Sequence, residues 1–280
     1  MIGFLNVYKP KGITSNAVLS KIKKQFGVKK LGHMGTLDPM AEGVLPIACG
    51  NATKMFDYFL NKQKTYIATF EFGYETDTLD AFGETIKTSN VIPNFEDVKK
   101  TISSFVGKIN QIRPKYSAKN VNGKRAYDLA RQNVDFDLTA KEVEIFDYEL
   151  LNYNQNSFEF KIVCSSGTYI RSLCRDLAYK LNTFATMTRL IRSESGKFNL
   201  QNAVQLEDLL NSNLEKHLID VTNVFDYKIV CIDEIEYKKL INGMIINFAF
   251  DNGYVFVKHK NQNLGVGIVF ESKLKLKTHF

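Results

Sequence analysis

Gly32-His33-Met34-Gly35-Thr36-Leu37-Asp38-Pro39-Met40-Ala41-Glu42-Gly43 suspends one short carboxylate in a backbone that neither helix nor strand packing would choose. Its three glycines supply positive φ or close approach, and Pro39 fixes its own φ while biasing Asp38 toward an extended conformation. The expected result is an aspartate held stiffly on a loop. Such an aspartate serves either as a turn-former or helix cap or as a catalyst, and this segment alone leaves both open.

The surrounding chain sets the frame. With 280 residues and 44% apolar content it can bury a full core, and its length predicts one large domain plus an appendage. The balance of 37 Lys and Arg against 30 Asp and Glu gives a formal charge of +7, which favours a polyanionic partner without requiring one. Four scattered cysteines with no Cys-x-x-Cys pair predict reduced, mostly buried thiols and no zinc site. Without a signal-like amino terminus or a membrane-length apolar run, the chain reads as soluble and cytoplasmic.

Periodicity predicts a mixed α+β domain on a mainly antiparallel sheet, followed by a small β-rich C-terminal part. Phe4 to Tyr8 reads as a strand, then Thr14 or Ser15 caps a helix that runs to Phe26 and stops at Gly27. Residues 64–74 form the clearest strand, with Tyr66, Ala68, Phe70 and Phe72 on one face. A helix is expected from Asn94 and a shorter one over Lys124 to Gln132. Between Glu142 and Cys164 a hairpin is expected, and Leu173, Leu177 and Leu181 mark another helix. The domain expectation is 1–210 for the large unit and 225–280 for the appendage, after a polar, Asn-rich stretch. Within the latter, strands are predicted over Tyr237–Leu240, Ile245–Phe250, Tyr254–Lys258 and Gly265–Phe270, joined by Asn-Gly turns.

The opening stretch, followed by Ala52-Thr53-Lys54, resembles the catalytic motif of the TruB family of tRNA pseudouridine synthases. Further blocks match in order: Lys64-Thr65-Tyr66, Thr76-Asp77-Thr78-Leu79-Asp80 with Gly83, Tyr116-Ser117-Ala118 with Asn122-Gly123-Lys124-Arg125, Gly167-Thr168-Tyr169-Ile170-Arg171, and Leu190-Ile191-Arg192. The resemblance implies the pseudouridine-synthase fold and an isomerase converting uridine 55 in the tRNA T-loop to pseudouridine by base flipping. It implies a partner in tRNA, gripped at the T-arm and elbow, and a monomeric enzyme.

That reaction breaks the bond from C1′ to N1 and rejoins C1′ at C5, so it requires no redox cofactor and no metal. It requires a carboxylate that attacks C1′ or moves protons beside it. By resemblance Asp38 is that group, Arg171 pairs with it, and Tyr66 stacks on the extruded uracil. Tyr169 and Leu190 line the pocket, while His33 and Lys64 bind substrate. Each has a plainer reading: Tyr66 and Leu190 as core, Arg171 as a solvated cation on a helix's first turn, Lys64 as surface. Lys54, Lys9 and Lys11 are candidate phosphate contacts, and Lys115, Lys119, Lys124 and Arg125 form a basic run with Tyr116 and Tyr127 suited to RNA. The appendage is either a PUA-like RNA-binding domain, which relatives carry there, or a stabilising β-extension. Two rival functions remain. Gly32-His33-Met34-Gly35 is also a Gly-x-x-Gly of the sort used by non-catalytic KH-type RNA-binding proteins, although Pro39 and Gly43 oppose the helix such a loop feeds. An aspartate-dependent nucleoside hydrolase is disfavoured by the basic charge and by the lack of a second obvious catalytic carboxylate.

Overall fold

The computed structural model describes residues 1–59, 62–116, 120–121, 124–125 and 139–280. Its main element is a ten-stranded sheet. The strands are β1 (Gly3–Lys9), β2 (Leu31–His33), β3 (Glu42–Cys49), β4 (Lys64–Phe72), β5 (Gly107–Gln111), β6 (Lys141–Asn154), β7 (Ser157–Cys164), β8 (Ala185–Ser195), β9 (Phe198–Asn199) and β10 (Val204–Gln205). In space they run β10-β1-β3-β8-β4-β7-β6-β5, with β2 on β3 and β9 on β8. The β1–β10 and β3–β8 pairs are parallel and the rest antiparallel, the mixed, mainly antiparallel α+β sheet expected.

The period-two pattern of β4 is realised fully, since Tyr66, Ala68, Phe70 and Phe72 are all buried. They meet three helices on that face: α1 (Ser15–Phe26), α2 (Phe95–Ser103) and α3 (Ile170–Lys180). Thr14 and Asn94 cap the first two through their side chains, and the Gly27 N–H closes α1 on the Lys23 carbonyl. β1 and β3 bury both faces. Leu5, Val7, Leu45 and Ile47 point to the helices, while Phe4, Val44 and Ala48 join a second core with Phe59, Phe198, Phe225 and Phe256. Burial on both sides is why Val44 to Ala48 reads as a continuous apolar run rather than an alternating one.

The second core reaches into a five-stranded C-terminal sheet of β11 (Lys228–Cys231), β12 (Ile246–Asn247), β13 (Gly253–His259), β14 (Gln262–Phe270) and β15 (Lys273–His279). Here several expectations fail. Tyr237–Leu240 is not a strand but part of helix α4 (Glu234–Ile241), because Asp233 and Glu236 form a reciprocal capping box at its start. Asn242-Gly243 consequently ends a helix instead of turning a hairpin. The expected strand 245–250 shrinks to β12, while β11 and β15 are additional. In the large unit, Lys124–Arg125 pairs with Asn120–Val121 as a short ribbon rather than opening a helix, and the rest of that expected helix lies outside the described residues, as do Lys119 and Tyr127. Cys49, Cys164 and Cys174 are buried free thiols and Cys231 is an exposed one. None of the described helices is long and apolar enough to cross a membrane.

Candidate active site

The loop between β2 and β3 is held from three directions. The Ser15 hydroxyl, at the start of α1, donates to the Leu37 carbonyl at 3.1 Å and accepts from the Leu37 N–H at 2.9 Å. The Gly12 N–H donates to the Pro39 carbonyl at 2.8 Å. From β8, the buried Arg192 guanidinium donates Nη2 to the Gly35 carbonyl at 3.0 Å, Nη1 to that of Thr36 at 3.3 Å, and Nε to that of Val44 at 2.8 Å. Gly43, at φ +106, lies against the Arg192 backbone where a side chain would collide with its carbonyl oxygen. The loop's glycine is therefore a matter of strand approach as well as of backbone angle.

Held this way, Asp38 turns its carboxylate toward α3. Its Oδ2 lies 2.8 Å from Nη2 of Arg171, with the Asp38 side chain 32% exposed and the Arg171 side chain 4% exposed. Arg171 occupies the first turn of α3, where the helix dipole disfavours a cation, and the expected external acceptors are present. Its Nη1 donates to the Thr78 carbonyl at 2.8 Å and faces Asp80 Oδ2 at 3.4 Å, while Nη2 also donates to the Tyr116 carbonyl at 2.9 Å. Asp80 itself is fixed by its own loop: its Oδ1 accepts from the Thr78 hydroxyl at 2.8 Å and from the Phe82 N–H at 3.0 Å. Arg171 is a fork between two carboxylates, one locked and buried, one at a cavity mouth.

That cavity holds about 240 Å³ and is lined by Asp38, Lys64, Tyr66, Tyr169, Arg171 and Leu190 together with Arg192. Six of the seven residues singled out from sequence thus meet in one place. His33 does not line it. It sits on β2 opposite Ile47, half-buried, with Nδ1 unpartnered and its proton affinity lowered by burial and then by the Arg192 charge. Burial pushes the Tyr66 hydroxyl up to about 12, with the Arg192 charge opposing the rise. Lys64 hydrogen-bonds the Ser166 hydroxyl, and burial, followed by repulsion from Arg192, lowers its ammonium to about 8. Among the described residues neither Lys64 nor Arg192 has a carboxylate in ion-pair range.

One candidate phosphate contact is corrected, and a second has a protein partner. Lys9 is fully buried and donates to the Pro10 and Ile13 carbonyls at 2.9 and 2.8 Å, so its ammonium braces the turn before α1. Lys54 donates to the His279 carbonyl at 2.9 Å and ties the large unit to the C-terminal sheet. Arg192 and Asp80 were not singled out as site residues. Both lie inside matched blocks, yet only the folded chain carries β8 past the Asp38 loop and the 76–83 turn past α3.

The charge on Lys64 gives a measurable consequence. Below pH 8 it is protonated in folded and unfolded chains alike, and burying it costs roughly 3 kcal/mol from its shift of 10.5 to about 8. Between pH 8 and 10.5 the unfolded chain binds the extra proton, so this cost fades as pH rises. Urea unfolding of the wild type and of Lys64→Met should therefore show the variant's stability advantage shrinking from pH 8 to 10. Parallel curves across that window would rule out a buried ammonium.

The sequence matches the TruB family pseudouridylate synthase N-terminal domain over residues 23–170 and the tRNA pseudouridylate synthase B C-terminal domain over residues 171–227. The chain belongs to the TruB family of pseudouridylate synthases. It is 39% identical to the tRNA pseudouridine synthase B of Clostridium novyi (strain NT), covering 99% of this chain and 98% of that protein. The same figure holds against the tRNA pseudouridine synthase B of Ehrlichia ruminantium (strain Gardel), with 91% and 88% covered. The fold is that of a chain in an H/ACA RNP bound to a substrate RNA containing 2′-deoxyuridine, with a TM-score of 0.74 at 21% identity over 99% of this chain and 84% of that one. Membership makes the chain an enzyme of the isomerase class and sets aside the non-catalytic RNA-binding reading.

Proposed function

We propose that this enzyme isomerises uridine 55 in the T-loop of cytoplasmic tRNA to pseudouridine, acting as a monomer with Asp38 as the nucleophile. The observation that carries the reading is the Asp38–Arg171 pair at the mouth of a cavity walled by Tyr66 and Leu190. The tRNA substrate is supported by the names of relatives that match nearly the whole chain.

The substrate uridine leaves its stack and enters the cavity, a step whose cost of a few kcal/mol is offset by stacking on Tyr66 and by contacts to the RNA backbone. His33 and Lys64 contribute to those contacts, and Tyr169 and Leu190 enclose the base. Asp38 attacks C1′, the bond to N1 breaks, and the electron pair departs with the uracil. Arg171 holds the Asp38 carboxylate in place by a charge-assisted contact as water is excluded. At 2.8 Å, and with an effective dielectric of 20, this attraction is on the order of 6 kcal/mol before desolvation is counted. Lys64 and Arg192 place positive charge beside the departing anionic ring, a preorganised electrostatic environment for the charge that develops there. The uracil turns, C5 displaces Asp38 from C1′, C5 loses its proton and N1 gains one. Atoms balance without oxidant, energy source or metal.

The test is direct. Incubating an unmodified tRNA transcript with the pure protein should place pseudouridine at position 55 alone in the T-loop, read by chemical mapping. A transcript left unmodified there, or modified in another arm, removes the assignment.

A further inference from the structure

Beside the active-site cavity lies a second, more open groove of about 830 Å³, lined by Gln63, Lys108, Lys141, Phe146, Ser166 and Gly167 among others. Ser166 and Gly167 belong to both, so the turn between β7 and α3 is a shared wall. We propose that this groove is a second nucleotide subsite, in which the RNA nucleotide flanking the target uridine stacks its base on Phe146 and sets its phosphate against Lys141. The inference rests on the RNA-isomerase reading above.

The wall is rigid. The Ser165 N–H donates to the Glu144 carbonyl at 2.8 Å, and the Glu144 N–H donates to the Ser165 hydroxyl at 2.9 Å. On the cavity side the Lys64 ammonium holds Ser166. Gly167 adopts φ +87, and a side chain there would stand 3.1 Å from the Lys141 ammonium. The wall is therefore thin backbone at the point where Lys141 rests, which is what a strand of RNA passing from cavity to groove requires.

Phe146 faces the groove for a structural reason. The alternation of β6 buries Val143 and Ile145, and a bulge between Ile145 and Asp147 re-aims the residue between them. Phe146 is left 42% exposed. A single exposed phenylalanine is ordinary on a surface, but this one stands in a groove that adjoins a cavity for an everted base. Everting a uridine breaks its neighbour's stack, and an aromatic ring in the groove that shares the Ser166–Gly167 wall with the cavity replaces that partner whatever the base. The charges order the site. Lys108 is paired with Glu142 at 3.1 Å, whereas Lys141 has no carboxylate in ion-pair range among the described residues. The phosphate accordingly belongs at the Gly167 end, beside the Lys141 ammonium.

Two T-arm hairpins carrying 2-aminopurine on the 5′ or the 3′ side of the target uridine provide the test, read on the Asp38→Asn enzyme so that no turnover is needed. Binding should quench the fluorescence of one of them through stacking. Adding Phe146→Ala should abolish that quenching. In the otherwise wild-type enzyme Phe146→Ala should raise KM for the hairpin about tenfold with kcat at saturation unchanged, and Phe146→Trp should restore both readouts. Lys141→Gln should reduce the slope of log affinity against log salt by about one. Quenching and KM both indifferent to Phe146→Ala would overturn the subsite, as would a fall in kcat at constant KM. Absence of pseudouridine from the wild-type reaction would instead sink the functional reading, and the fluorescence result would stand apart from it.

Discussion

Asp38→Asn is expected to abolish pseudouridine formation while leaving tRNA affinity within about threefold of wild type. Asparagine keeps the shape of the side chain and one oxygen for Arg171, but it carries no charge with which to attack C1′. Removing a nucleophile that acts as a unit with its partners typically costs 10⁴-fold or more in kcat, about 5 kcal/mol or more of transition-state stabilisation. The fold should survive, because Arg171 retains Asp80 at 3.4 Å and the Thr78 and Tyr116 carbonyls. Single-turnover kinetics on a tRNA transcript, beside a filter-binding isotherm, separates the two effects. Turnover within tenfold of wild type would remove Asp38 as the nucleophile, whereas loss of turnover and affinity together would make it a residue that shapes the RNA site. Asp38→Glu refines the result: its extra methylene displaces the carboxylate by about 1 Å, which should itself cost on the order of 10²-fold.

The residues that make this argument possible differ in how visible they are before folding. The β4 face and the cap-to-cap span of α1 follow from local rules, since alternating apolar residues and a Thr-to-Gly bracket act within a few positions. The cavity residues were legible through a different channel, as blocks of residue types whose only shared logic is the chemistry they serve. Arg192 and Asp80 mark its limit. A basic residue in a strand and an acidic residue in a turn have ready surface explanations, and only the register of β8 against β3 and β4 puts the guanidinium under the Asp38 loop. Lys9 erred in the opposite direction: a lysine beside Pro10 reads as surface, yet two backbone carbonyls and complete burial make it a brace. In the C-terminal sheet the pull of β-rich neighbours masked the Asp233–Glu236 capping box, a local signal strong enough to set α4.

Arg171→Met should be the most destabilising single change near the site, by about 3–5 kcal/mol, because it removes one member of a buried ion pair and leaves the others stranded. Asp80 would keep its Thr78 and Phe82 donors but lose its only cation among the described residues, and two carbonyls would lose their donors at once. For a chain of this size the melting temperature should fall by roughly 10 °C. Arg171→Lys should not recover activity. The guanidinium reaches Asp80 and the Thr78 carbonyl through Nη1, and Asp38 and the Tyr116 carbonyl through Nη2. A single ammonium cannot span both sets, so lysine settles on one carboxylate and leaves the other unfixed. If it settles on Asp80, the lysine variant regains part of the lost stability and none of the turnover. Scanning calorimetry and single-turnover rates on the two variants decide the matter. Equal melting temperatures for wild type and Arg171→Met would mean that the fork carries no folding energy. Near-wild-type turnover in Arg171→Lys would mean that Asp38 is positioned by its loop alone, through Ser15, Gly12 and Arg192.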